Sequence, residues 1–208
     1  IYLLHNSYVH KSYNTFLGHN PQKISCKKLS KDFNKNKVAV LTGAAKKIGR
    51  STAIKLAEQG FNILIHTGGK SIEEAKDTIK LLEKFKIKSN YVTGDLANLE
   101  TINIIKDAAL KLGTPSVLVN NAGLRIHEHF EKIDYKDWKK VMTVNVDASF
   151  LCAQALINYM VKQKWGRVIN IGGLSAHIGA KERAHVVTSK AALVLSLIHI
   201  SEPTRPLD

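Results

Sequence analysis

From Lys37 onward, short unbroken apolar runs alternate with longer stretches in which apolar residues recur every three or four positions. The first pattern fits strands buried on both faces, the second helices with one apolar stripe. VAVLTG, Val38 to Gly43, reads as the first strand. A helix over Ile48 to Gln59 follows and stops at Gly60, a residue type suited to a helix end. FNILIH is a second strand, and a polar-faced helix runs from Ser71, its expected N-cap, to about Phe85. The strand SNYVTGD precedes a helix from about Asn98 to Leu112, and the strand SVLVNNAG precedes a long helix from about Tyr135 to Gln163. GRVINIGG is the fifth strand. This alternation predicts a doubly wound α/β fold, a parallel sheet covered on both faces. Ligands are expected at the carboxyl ends of its strands.

Both ends break the pattern. Residues 1–36 are rich in Asn, Ser, Lys and His, show no sustained period, and set Lys11, Lys23, Lys27, Lys28, Lys31 and Lys35 against Asp32 alone. They read as a basic extension of low order; an organelle transit peptide and translated sequence upstream of the true start are the alternatives. Ile1 stands first, and Met142 and Met160 are the only methionines, so the chain reads as a fragment or a processed product. Leu195 to Arg205, LSLIHISEPTR, resembles the translation of a transposon adapter used in preparing sequencing libraries. That resemblance implies a non-native tail over 195–208 and a domain, 37–194, truncated at the C-terminus. A natural helix end broken by Pro203 and Pro206 is the other reading.

Composition narrows the classes. At 208 residues the chain holds one sizeable domain, and a hydrophobic content of 44% permits a buried core without disulfides. Cys26 and Cys152 stand in no metal-ligand spacing, which suits a reducing, cytoplasmic setting. The formal charge of +14 raises the question of nucleic acid. Outside the leader, bases and acids interleave, as in SIEEAKDTIKLLEKFK, which is how solvated helix faces read. A general attraction to anions is therefore expected, and nucleic acid is not an expected partner. No apolar run reaches the length of a membrane span.

TGAAKKIGR, Thr42 to Arg50, joins the first strand to the first helix. Gly43 and Gly49 allow a sharp turn and close backbone approach to a ligand. Lys46, Lys47 and Arg50 place positive charge at a helix N-terminus, which is unfavourable for an empty helix and sensible beside an anion. At the end of the second strand, HTGGKS carries no acid for the ribose hydroxyls of NAD, whereas Lys70 suits the 2′-phosphate of NADP. NADP is the expected cofactor and NAD the alternative.

TGAAKKIG resembles the phosphate loop of the short-chain dehydrogenase/reductase family, with Lys47 where a glycine is usual. GDLAN, NNAG, VNV and VTSKAAL match further motifs of that family in order, over about Lys37 to Val194. The resemblance implies a Rossmann-like fold and a cofactor site of Gly43, Lys46, Lys47, Ile48, Gly49, Lys70, Asp95, Leu96, Asn121, Ala122, Gly123 and Lys190. It further implies a catalytic Asn145 and Lys190, a small carbonyl or alcohol substrate, and a homo-oligomer.

Reducing a carbonyl leaves an alkoxide that must collect a proton. In the family a tyrosine four residues before the lysine supplies it, and a serine thirteen residues before the tyrosine holds the substrate oxygen. Here those positions are Val186 and Gly173. His185 is the candidate substitute donor, although one step along a helix turns a side chain by about 100°. Two further substitutes are Ser175, two residues past the serine position and able to hydrogen-bond a carbonyl if the loop shifts, and His177 on the same loop, near where substrate would lie. His127 and His129 have alternating spacing but no further ligand cluster, so no metal is expected. Trp138 and Trp165 are expected to pack on helix and strand ends. Two functions remain: an NADP-dependent oxidoreductase with an unusual proton donor, or a catalytically silent dinucleotide-binding protein.

Overall fold

A computed structural model describes residues 2–3 and 31–196, and gathers their strands into one sheet of six. In chain order the elements are β1 (Tyr2–Leu3), α1 (Lys31–Asn34), β2 (Lys37–Leu41), α2 (Lys47–Glu58), β3 (Asn62–Thr67), α3 (Ile72–Leu82) and β4 (Ser89–Thr93). Then follow α4 (Leu99–Leu112), β5 (Thr114–Asn120), α5 (Tyr135–Met142), α6 (Ala148–Lys162), β6 (Arg167–Asn170), α7 (Ser175–Ile178) and α8 (Ala184–Ser196). The sheet order is β1-β6-β5-β2-β3-β4, and every pairing is parallel except that of β1 with β6.

The two-residue period of a strand divides the apolar runs between two cores. Val38, Val40, Leu64 and Leu118 face one side, where Ile102 and Ile105 of α4 and Cys152, Leu156 and Met160 of α6 cover them. Ala39, Leu41, Ile63, Ile65, Val117 and Val119 face the other, against Ala53 and Ala57 of α2 and Ala75 and Leu82 of α3. This is the doubly wound arrangement that the unbroken runs predict. β2 pairs with β3 on one side and β5 on the other, so the connections leaving its two neighbours diverge. The crevice at the carboxyl ends of β2 and β5 is the topological switch point.

Several boundaries differ from expectation. The long helix is continuous from Tyr135 to Lys162, with one π turn, Thr143–Asp147, inserted between α5 and α6. Ser71 occupies the N-cap position of α3 but makes no capping bond. The helix expected to reach Phe85 tightens at Glu83–Phe85 into a 3-10 turn, closed by Lys86 at φ 55°. Within the N-terminal extension, α1 carries Asn34, fully buried, whose Nδ2 donates to Gln59 O at 2.8 Å. Phe33 meets the Trp165 ring edge-on at 5.7 Å, and Phe61 stacks on it at 6.0 Å, so Trp165 does pack at strand ends. β1 adds a second described piece of the extension, while residue 1, residues 4–30 and the proposed tail beyond Ser196 lie outside the described residues.

Joined through its π turn, Tyr135–Lys162 is long and apolar enough to cross a membrane by length and composition, a span that no single apolar run announces. Its apolar stripe, Ala148, Cys152, Leu156 and Met160, is instead buried against the sheet. Burial raises the Cys152 thiol pKa to about 12, which leaves it an inert core residue.

Candidate cofactor cleft and active site

The loop after β2 is tied to the loop after β5 by a dense set of bonds. Thr42 Oγ1 accepts from the backbone N–H groups of Asn121 and Ala122, each at 3.1 Å. Asn121 Nδ2 donates to the carbonyls of Thr42 at 3.1 Å and Gly43 at 2.8 Å. Gly43 sits at φ 61°, and a methyl there would lie 2.8 Å from Ala122 Cα. A methyl on Gly49 would lie 2.5 Å from Ala44 Cα. Both positions therefore require glycine, for close backbone approach. Lys47 takes φ 52°. The backbone thus keeps a left-handed turn at this point without a glycine, at a cost of roughly 1 kcal/mol.

The three cations at the start of α2 are not equivalent. Lys46 Nζ pairs with Glu74 at 2.9 Å. Arg50 Nε donates to Thr78 Oγ1 at 2.7 Å and Ala45 O at 3.1 Å, and a second guanidinium nitrogen donates to Glu74 O at 3.0 Å. Arg50 is thus a strut between α2 and α3. Lys47, exposed beside Ile48, is the one of the three without a partner among the described residues. The first turn of α2 has no side-chain cap and no acid, so its N–H groups stay open to an anion.

At the end of β3, His66 is buried and its Nε2–H donates to Gly94 O at 3.0 Å. Desolvation holds its pKa below the ordinary value, which keeps the imidazole neutral. Gly68, Gly69 and Lys70 are exposed just beyond. Asp95 caps the turn after β4 by accepting from Ala97 N at 3.0 Å. Leu96 points into the core at 5% exposure, which leaves only its backbone for a ligand.

Asn145 lies in the π turn with no exposed surface. Its Oδ1 accepts from Leu124 N at 2.7 Å, and its Nδ2 donates to Leu124 O at 3.2 Å and Ser189 Oγ at 2.8 Å. Lys190 Nζ donates to Ile171 O at 2.7 Å. A methyl on Gly123 would stand 3.3 Å from Asn145 Oδ1 and 3.4 Å from Lys190 Nζ. The end of β5, the π turn and α8 therefore converge on one point. Burial, and secondarily the charge of Arg125, lower the Lys190 pKa to about 8. A lysine poised there is suited to proton transfer near neutral pH.

The remaining candidates separate by helix face. Val186 stands four residues before Lys190 and shares its face of α8, whereas His185 shares a face with Ser189. His185 has no exposed surface, and neither ring nitrogen has a hydrogen-bond partner. It is a closed interior group, with no surface open to a cleft. His127 Nδ1 accepts from Arg183 Nε at 3.2 Å, and His129 Nε2 lies 3.4 Å from Glu182 Oε1. This pair clasps the segment leading into α8; among the described residues no three His, Cys, Asp or Glu side chains gather as metal ligands. Thr42, Ser189 and Arg125 are contributors that the motifs did not single out. Thr42 stands in the TG of the first loop and Ser189 inside VTSKAAL, while Arg125 had no such signal.

The family model described as short chain dehydrogenase matches residues 37–201. The chain belongs to the short-chain dehydrogenase family. It is 33% identical to a 3-oxoacyl-[acyl-carrier-protein] reductase of Staphylococcus epidermidis, covering 76% of this chain and 65% of the reductase. It is 35% identical to the L-rhamnose 1-dehydrogenase (NADP(+)) of Thermoplasma acidophilum, covering 76% and 63%. The acetoin dehydrogenase YohF structure from Salmonella typhimurium superposes with a TM-score of 0.73 at 33% identity, over 79% of this chain and 68% of that one. NAD+-bound xylitol dehydrogenase superposes with a TM-score of 0.72 at 25% identity, over 78% and 63%. The chain thus spans less than two thirds of the length of the two curated relatives. The loops after β2 and β5, tied together through Thr42 and Asn121, lie at the switch point of the sheet.

Proposed function

We propose that the complete protein interconverts a small carbonyl compound and its alcohol, with NADP(H) as the hydride carrier. The convergence of Gly43, Gly123, Asn145 and Lys190 at the switch point carries this reading. Gly43, Lys46, Lys47, Ile48 and Gly49 would hold the phosphates, Asp95 and the Leu96 backbone would border the adenine, and Asn121, Ala122, Gly123 and Lys190 would frame the nicotinamide end. Bound there, the cofactor supplies a hydride. NADP is favoured because the end of β3 presents the exposed Lys70 and no acid. The name of the rhamnose dehydrogenase relative points the same way, while the xylitol dehydrogenase structure keeps NAD as the alternative.

The proton is assigned to Lys190. Its Nζ borders the point where Gly123 and Asn145 meet, and its pKa of about 8 gives it both a proton to lose at neutral pH and a means of regaining it. His185 is the other candidate donor and would have to leave its closed site to act. A reducing, cytoplasmic setting and a homo-oligomer complete the proposal; exposed Phe150 and Val161 on α6 give an oligomer apolar surface to cover.

The test is NADPH consumption by the full reading frame that carries this chain, against a panel of carbonyl compounds, with Lys190→Ala and His185→Ala run in parallel. Loss of turnover in Lys190→Ala and its retention in His185→Ala is expected. A second reading, a silent dinucleotide-binding protein, is favoured by Val186 at the tyrosine position. Saturable NADPH binding with no turnover of any carbonyl would establish it.

A further inference from the structure

Resting on the proposed oxidoreductase reading, we infer that Ser175 takes over the work of the absent serine at position 173, its Oγ–H donating a hydrogen bond to the carbonyl oxygen of the substrate. The chain folds back after β6 in a single tight turn. Ala176 N donates to Gly173 O at 3.0 Å, His177 N to Leu174 O at 2.9 Å, and Gly179 N to Ser175 O at 3.0 Å. This turn returns the Ser175 hydroxyl to the position it follows in sequence. A methyl built on Gly173 would lie 3.5 Å from Ser175 Oγ and 3.9 Å from Lys190 Cγ, both ordinary contact distances. Serine hydroxyl and lysine stem therefore border the same small opening, the one left by the glycine.

The hydroxyl is also chemically free. Ser175 Oγ makes no hydrogen bond among the described residues, in contrast to Ser189 Oγ, which donates to Val186 O at 2.8 Å and accepts from Asn145. Ser175 is half-buried, so the residue is not sealed in the core. Lys190 Nζ donates to Ile171 O, directly before the Gly172–Gly173 pair, which ties the lysine to the start of the same turn. As hydride reaches the carbonyl carbon, the carbon–oxygen π pair moves onto oxygen, and a donor aimed at that oxygen becomes stronger in the transition state than in the ground state. That proton stays on Ser175, and the one that completes the alcohol comes from a separate acid.

The experiment compares Ser175→Ala, Ser175→Thr, Gly173→Ser and the double variant Ser175→Ala/Gly173→Ser in the full reading frame. Ser175→Ala is expected to lower kcat roughly 100-fold, the order seen when one such donor is removed. NADPH affinity, read by cofactor fluorescence, is expected to stay within twofold. The affinity of the alcohol product for the NADP+ complex, a readout independent of turnover, is expected to fall about tenfold. Ser175→Thr retains more than a tenth of the rate, and Gly173→Ser restores at least tenfold of the loss in the Ser175→Ala background. A Ser175→Ala rate within twofold of the parent, or a parallel loss of NADPH affinity, overturns the inference. Absence of turnover in the parent is a failure of the oxidoreductase reading, and the series is then repeated on Val186→Tyr. Turnover gained there and lost with Ser175→Ala supports the role of Ser175. Silence of Val186→Tyr, or activity that ignores Ser175→Ala, overturns it.

Discussion

Asn145 closes a two-bond ring on the backbone of Leu124, accepting from its N–H at 2.7 Å and donating to its carbonyl at 3.2 Å. A third bond, from Nδ2 to Ser189 Oγ, links the same amide to α8. One buried side chain thus fixes the segment after β5 to the helix that carries Lys190. Asn145→Ala should leave these groups unpaired in a closed site and cost about 2–4 kcal/mol of stability. Urea unfolding measures it. A change under 1 kcal/mol would show that the ring is dispensable.

Lys47 sits at φ 52°, where glycine is free of the penalty that a side chain incurs. Lys47→Gly should leave stability unchanged or raise it by up to about 1 kcal/mol, since strain relief and unfolded-state entropy oppose each other. The same change removes the unpaired cation at the start of α2, so NADPH affinity should fall several-fold at low salt and less at high salt. A Kd that rises equally at both salt levels would refute the charge argument.

On the proposed NADP reading, Lys70→Glu replaces the cation at the end of β3 with a charge that repels a 2′-phosphate. The ratio of NADPH to NADH affinity should drop at least tenfold, chiefly through NADPH. Titration of both nucleotides on parent and variant decides it, and an unchanged ratio would remove Lys70 from the site.

The Lys190 pKa is lowered from 10.5 to about 8, by burial first and the Arg125 charge second. Between those two values the folded chain has released a proton that the unfolded chain still holds. Stability from this group therefore rises with pH from about 8 to about 10.5, by up to roughly 3 kcal/mol, and is flat below 8. Lys190→Met should abolish that slope in pH-dependent melts. Carbonyl reduction has the opposite dependence: it needs the charged form and should decline above about pH 8. A rate that stays level to pH 10 would separate Lys190 from the proton.

The site was legible in part. The glycines of TGAAKKIG and the NNAG run each stand in a short stretch whose composition reports a backbone requirement, and Gly43 and Gly49 meet it in the structure. Arg50 was misleading, because a cation at a helix start reads as an anion ligand until Thr78 and Glu74, from a different helix, are seen to hold it. His185 was ambiguous for the same kind of reason. Its neighbours in sequence place it beside the vacant tyrosine position, while its helix face, shared with Ser189, turns it into the interior.

Taken alone, the order of residues determined the alternation of strand and helix, the doubly wound class and the place of the glycine-bearing turns, because these depend on periods and turn chemistry within a few residues. Tertiary structure decided which polar groups are free. The pairing of Arg50 with α3, the ring of Asn145 on Leu124, the closure of His185 and the return of Ser175 to Gly173 all join atoms from separate turns or elements, and only the packed chain brings those atoms within hydrogen-bonding or contact distance.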